Sequence, residues 1–158
     1  MTSVGLIIAA ALLVSASAHA ETVYTIRDDR GGDVESYRKL YAGLKAVRAK
    51  IVIDGVCASA CGLVFGLINH NPICATGRAK AGFHRAVLRD GSTGQLLTSE
   101  YAKMSADMTT IELFTALPLE MQNAAPLSDW PDIYEGAKDE DAVWIGPKQM
   151  QQIFGKCK

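Results

Sequence analysis

Ile51-Val52-Ile53-Asp54-Gly55-Val56-Cys57-Ala58-Ser59-Ala60-Cys61 is the stretch on which the reading of this chain turns. The triplet Ile51 to Ile53 is apolar and β-branched, the make-up of a short buried strand. From Ser59 to Ile68 the residues are small and apolar throughout, which predicts a buried helix. Upstream, Thr22-Val23-Tyr24-Thr25-Ile26 alternates as a strand does, and Asp28-Asp29-Arg30-Gly31-Gly32 predicts a tight polar loop. From Asp33 the period changes to that of a helix. Val34, Tyr37, Leu40, Tyr41, Leu44 and Val47 share one face, with Asp33 placed to cap the first turn. Downstream, Ile73-Cys74-Ala75 and Lys80-Ala81-Gly82-Phe83-His84 predict two short strands around a Thr76-Gly77 turn.

Strand, helix, strand, helix, strand is the order of an α/β fold with parallel pairing and right-handed crossovers. Beyond Leu88 the signals are sparser. Thr98 to Leu117 predicts a helix from the spacing of Tyr101, Met104, Met108, Ile111 and Leu113, and the Met104/Met108 pair is expected in the core. Residues 118–140 hold three prolines and several acids and predict an irregular excursion, with Trp130 anchoring it. Val143-Trp144-Ile145 predicts a strand. Gly146 to Phe154 predicts a last helix, with Pro147 in its first turn and Gly155 as its stop.

Composition bounds the function. The 158 residues carry 16 Lys and Arg against 17 Asp and Glu, so no net charge draws the chain to nucleic acid or an anionic membrane. With 21% charged and 49% hydrophobic residues, extended disorder is not expected. Residues 1–20 contain no Asp, Glu, Lys or Arg. Gly5 to Val14 is an apolar run too short to cross a bilayer, and Ala18-His19-Ala20 is a small-x-small site before Glu21. This predicts a signal peptide over 1–20 and one exported domain over 21–158, periplasmic or secreted, with no membrane association after cleavage. The n-region lacks Lys and Arg, which is atypical of such signals.

Cys57, Cys61, Cys74 and Cys157 are an even set, as an oxidising compartment favours. Three pairings are open to four cysteines. The expectation taken forward is Cys61 with Cys74 and Cys57 with Cys157. No CxxC pair occurs and the histidines are not at ligand spacing, so neither a metal nor a cofactor is expected.

Three segments have the ingredients of acyl transfer. Ser59 follows a strand and opens a helix, flanked by Ala58 and Ala60, which leave room for a substrate carbonyl. His84, in Ala81-Gly82-Phe83-His84-Arg85, ends a strand and could take the serine proton. The Ala60 N–H, in a first helical turn, and the Gly32 N–H, at the mouth of a helix, are candidate oxyanion donors. Singly, each has a plainer reading as a cap, a turn or a structural histidine.

Together, Gly31-Gly32 before a helix, Ser59 in Cys57-Ala58-Ser59-Ala60-Cys61 and His84 in Gly82-Phe83-His84 resemble the ClpP/crotonase superfamily, and within it exported ClpP-like bacterial proteins. Gly32 and Ser59 are 27 positions apart, and Ser59 and His84 are 25. The resemblance covers residues 22–86. It implies a ClpP/crotonase-like fold of repeated β-α units with a mainly parallel sheet in a single domain. It also implies a serine hydrolase with Ser59 as nucleophile, His84 as base, and Gly32 and Ala60 as the oxyanion hole. The substrate would be a peptide or small acyl compound, and self-association is left open. The third triad member falls on Asp141, in the acidic run Asp139-Glu140-Asp141, with Asp129 and Asp132 as competitors. The rival reading is a non-catalytic periplasmic module that keeps the fold. A crotonase-type acyl-CoA enzyme is disfavoured, since CoA is a cytoplasmic cofactor.

Overall fold

The computed structural model describes residues 21–68, 72–138 and 141–158. The expected signal segment and His70 lie outside the described residues. β1 (Val23–Asp29) and β2 (Lys50–Ala58) pair in parallel, and α1 (Val34–Ala46) makes the crossover between them. Asp33 caps α1 as its position predicts, accepting from the Ser36 N–H at 2.8 Å.

β2 is the middle of the sheet. On one edge it carries β1. On the other, its first half pairs with β3 (Ile73–Ala75) and its second half with β4 (Lys80–Phe83), all in parallel. β5 (Val143–Ile145) joins β4 antiparallel, which completes a mostly parallel five-stranded sheet in an α/β domain. β2 runs further than the Ile51–Ile53 triplet because of Gly55. There β1 bulges between Ile26 and Asp28, and a Cβ on Gly55 would lie 1.5 Å from the Arg27 carbonyl oxygen. Only glycine lets the strand pass beneath the bulge.

The core gathers on β2. Ile51 and Ile53 are fully buried, as are Tyr41 of α1, Val64 and Phe65 of α2 (Leu63–Leu67) and Met121 of α4 (Leu119–Ala124). α5 (Pro147–Phe154) adds Met150 and stacks Phe154 on Phe65, with ring centroids 5.2 Å apart. The 118–138 segment holds α4 and two short 3-10 turns, Leu127–Asp129 and Ile133–Glu135. Trp130 anchors it. The ring is buried and stacked on Phe83 at 5.1 Å, and its N–H donates to the Ala125 carbonyl at 3.0 Å. No helix among the described residues is long and apolar enough to cross a membrane.

Two expectations are corrected. The disulfides are Cys57–Cys61 and Cys74–Cys157, not Cys61–Cys74 and Cys57–Cys157. The reason is register. Cys74 lies beside Val52, and Cys57 is five residues further along β2, roughly 16 Å at the rise of a strand. Cys74 is therefore out of reach of Cys57 and Cys61, and it meets the C-terminus instead. There Ala75 N donates to Gly155 O at 2.9 Å and Cys157 N to Ala75 O at 3.2 Å.

The second correction is the face of α3 (Glu100–Ala116). Tyr101, Met104, Met108 and Ile111 are exposed, and the helix packs through Ala102, Ala106 and Thr110. Small residues make up the fully buried side of α3, Leu113 and Phe114 pack partly buried against the core, and the other four large side chains are left exposed.

Chemical denaturation checks this arrangement. Met108→Gln should change stability by less than about 0.5 kcal/mol, whereas Met150→Ala should cost about 2–5 kcal/mol. Comparable losses from the two would contradict the placement of α3.

Candidate active site

β2 ends at Ala58, and the chain passes at once into a 3-10 turn, Ser59–Gly62, that leads into α2. Ser59 has φ +55°, the left-handed region, which costs an L-residue roughly 1–2 kcal/mol. A sharp strand-to-helix corner of this kind raises a serine hydroxyl clear of the backbone around it. The side chain is half-buried.

Gly31 is packed on that corner. Its φ is +84°, and a Cβ there would come within 2.7 Å of Ala58 O, Ala60 N and Ser59 Cβ. Asp29 fixes the turn, accepting from the Gly31 N–H at 2.9 Å and from the Tyr37 hydroxyl. Burial, and then the bond to Asp29, raise the Tyr37 hydroxyl above the usual tyrosine range, so it stays a donor. The Gly31 N–H is thus occupied. The Gly32 N–H donates to no described residue, and Gly32 is exposed.

His84 follows β4 directly. Its Nδ1 is 2.7 Å from the Arg85 carbonyl oxygen. A carbonyl can only accept, so Nδ1 carries the hydrogen and Nε2 of the neutral ring keeps its lone pair. The segment after the histidine is tied down three times. Arg85 N donates to Pro131 O at 3.0 Å, Ala86 N to Thr110 Oγ1 at 2.8 Å and Leu88 N to the Tyr134 hydroxyl at 3.0 Å.

Gly31, Gly32, Ser59, Ala60 and His84 all line one cavity of about 760 Å³. Val34, Leu63, Leu113, Leu117, Trp130 and Trp144 contribute apolar lining, while Arg30, Asp33, Arg89 and Asp90 add charge. The volume is that of a small-molecule or short-peptide site.

Other expected contacts are not made. No hydrogen bond joins Ser59 to His84. Asp141 does not orient the imidazole: it is exposed, and its Oδ2 accepts from the Lys138 N–H at 2.9 Å, closing its own turn. Asp129 accepts from the Ser128 hydroxyl at 3.0 Å, and Asp132 caps its 3-10 turn through the Tyr134 N–H at 2.8 Å. The group that holds the ring is the Arg85 carbonyl, and no sequence signal marks a backbone carbonyl. Asp29 belongs to the loop that the sequence predicts, and its bond to the Gly31 N–H is the turn signature of an aspartate two residues before a glycine. Thr110 lies among the apolar positions of α3 and gave no such sign.

Asp90 shapes the loop that forms part of the cavity wall. Its Oδ1 accepts from the Ser92 hydroxyl at 2.6 Å and N–H at 3.0 Å, and from the Thr93 N–H at 2.8 Å and hydroxyl at 2.9 Å. Those bonds, led by the Ser92 hydroxyl, hold its carboxyl well below the usual carboxylate range.

No protein-family model matches the chain, and no curated protein matches it. Among solved structures, a mutant of ClpP1 from Listeria monocytogenes is similar, with a TM-score of 0.53 and 13% identity. The match covers 87% of this chain and 72% of that one. At such low identity the likeness shows a ClpP-like fold and nothing finer.

Two tests follow from the geometry. Gly31→Ala should destabilise the protein by about 2 kcal/mol or more, from the left-handed backbone and the contact with the corner; a neutral effect in thermal unfolding would contradict the packing. The depressed Asp90 carboxyl holds its loop fully above the unfolded value of about 3.9 and releases it as pH falls through the lower folded value. Asp90→Asn should accordingly speed amide exchange at Ser92 and Thr93 at neutral pH. Unchanged exchange would show that the carboxylate does not hold the loop.

Proposed function

We propose that this chain is an exported serine hydrolase, an ATP-independent peptidase of the wider ClpP/crotonase superfamily. Ser59 is its nucleophile and His84 its base. The observation that carries the reading is the left-handed Ser59, set at a strand-to-helix corner and opening on the same cavity as His84. Export rests on the uncharged, apolar residues 1–20 and on the two disulfides.

In this reading His84 Nε2 removes the hydroxyl proton as Ser59 Oγ attacks the substrate carbonyl. The Gly32 and Ala60 N–H groups receive the oxygen as it becomes an anion, a donation worth about 3 kcal/mol of barrier for one such group. The Arg85 carbonyl does part of the work of a triad carboxylate. It fixes the tautomer and the ring plane, and as a neutral dipole it steadies an imidazolium less than a full negative charge does. Slow turnover is the consequence. The apolar lining favours a substrate with a bulky hydrophobic side chain or acyl group.

The absence of a Ser59–His84 hydrogen bond favours a second reading, a binding module that retains the fold without the reaction. The two separate on a fluorophosphonate probe. Mature protein should be modified on Ser59, Ser59→Ala should abolish the modification, and His84→Gln should slow it by about 10²–10⁴-fold. Probe incorporation indifferent to Ser59 would refute the hydrolase, as would none in the wild-type protein.

A further inference from the structure

We propose that the Cys57–Cys61 disulfide is a latch on the nucleophile, so that the site becomes competent only once this bond has been made. The proposal rests on the serine hydrolase reading and adds how that site is switched on. The two cysteines are four positions apart in sequence, and Ser59 is the midpoint between them. The bond joins the end of β2 to the 3-10 turn across the corner itself, with the Cα atoms 5.3 Å apart.

Ser59 needs such a constraint. Its backbone is in the left-handed region, which an L-residue leaves unless its surroundings hold it there, and its hydroxyl bonds to no described residue that would do so. Three contacts are available. Gly31 packs on the corner, close to Ala58 O, Ser59 Cβ and Ala60 N. The buried Tyr41 hydroxyl donates to the Cys61 carbonyl at 3.0 Å. The disulfide is the covalent restraint among them, and it joins the chain on the two sides of Ser59. Without it, Ser59 and the Ala60 N–H lose their fixed relation to His84, and a misplacement of about 1 Å costs roughly 100-fold in rate.

Both cysteines are fully buried, so the latch is set during folding rather than toggled afterwards. In its formation the two thiols lose two protons and two electrons to the disulfide of an oxidant, which leaves as a dithiol or as two thiols. Oxidised glutathione or a disulfide-exchange protein is the chemical class required. A chain kept in a reducing compartment would hold its serine unset. The second disulfide, Cys74–Cys157, closes 83 residues and ties β3 to the C-terminus, so the two bonds have separable roles.

The experiment compares the wild-type protein with Cys57→Ala/Cys61→Ala and Cys74→Ala/Cys157→Ala. Amide exchange at residues 59–62 and the rate of fluorophosphonate modification are the two readouts. The Cys57/Cys61 pair should speed exchange there by about tenfold or more and slow modification by roughly 100-fold. Exchange along β1 and α1 should be unchanged. The Cys74/Cys157 pair should lower thermal stability and leave both readouts near wild type.

Should the Cys57/Cys61 pair not fold, the Cys74→Ala/Cys157→Ala protein supplies the same comparison. There, unfolding in dithiothreitol and refolding without an oxidant leaves only Cys57–Cys61 unmade, and refolding with oxidised glutathione should restore both readouts. Exchange at 59–62 that is unaffected by loss of this bond overturns the latch. If the wild-type protein is unreactive while exchange still responds, the latch stands and the hydrolase reading falls. If the wild type reacts and the latch-free protein reacts equally fast, the latch falls and the hydrolase stands.

Discussion

β2 is hydrogen-bonded on both edges, to β1 on one side and to β3 and then β4 on the other, and every feature of the site is referred to it. A strand paired so fully leaves no freedom in where it ends. It ends at Ala58, and the next residue is the left-handed Ser59. The same parallel register brings Asp29 opposite Cys57 and Gly82 opposite Ala58. The Gly31-Gly32 turn beyond β1 and His84 beyond β4 therefore emerge beside the serine, at the carboxyl end of the sheet. Crevices at such strand ends are where open α/β sheets bind their ligands.

Around that end the molecule is held rigid by hydrogen bonds and stacking. Asp29 and Tyr37 fix the glycine turn, and Tyr41 holds the carbonyl of Cys61. Thr110, Pro131 and Tyr134 fasten three of the first four N–H groups after His84. Trp130 stacks on Phe83 and so supports the strand from which the histidine leaves. The peripheral acids serve local turns: Asp141, Asp129 and Asp132 each satisfy a neighbour within three residues. For the hydrolase proposed above, pre-positioned neutral dipoles and a backbone-held imidazole would position the groups well and stabilise charge modestly.

Local patterns announced the elements whose physics is local. Asp33 caps α1 because a carboxylate there meets free first-turn N–H groups, and Pro147 and Gly155 bound α5 for equally short-range reasons. Trp130 is the anchor its setting implied. Long-range register was not readable in this way. The disulfides follow from Cys74 lying beside Val52, a partnership that nothing near Cys74 encodes. In α3 the apolar spacing pointed at Met104 and Met108, yet the buried face is the quieter row of Ala102, Ala106 and Thr110. Periodicity alone does not say which of two plausible faces is turned inward. For the site, the serine, the histidine and the glycines could be singled out as a set, whereas the carbonyl holding His84 could not, because every residue has one.

The most direct test of the account is a diffraction structure of the mature protein after reaction with a small fluorophosphonate. A phosphonyl group on Ser59 Oγ, its free oxygen within about 3 Å of the Gly32 and Ala60 N–H groups and His84 Nε2 facing the serine, is the predicted result. An adduct whose oxygen points to solvent, or a Ser59 turned into the right-handed region away from both amides, would contradict it.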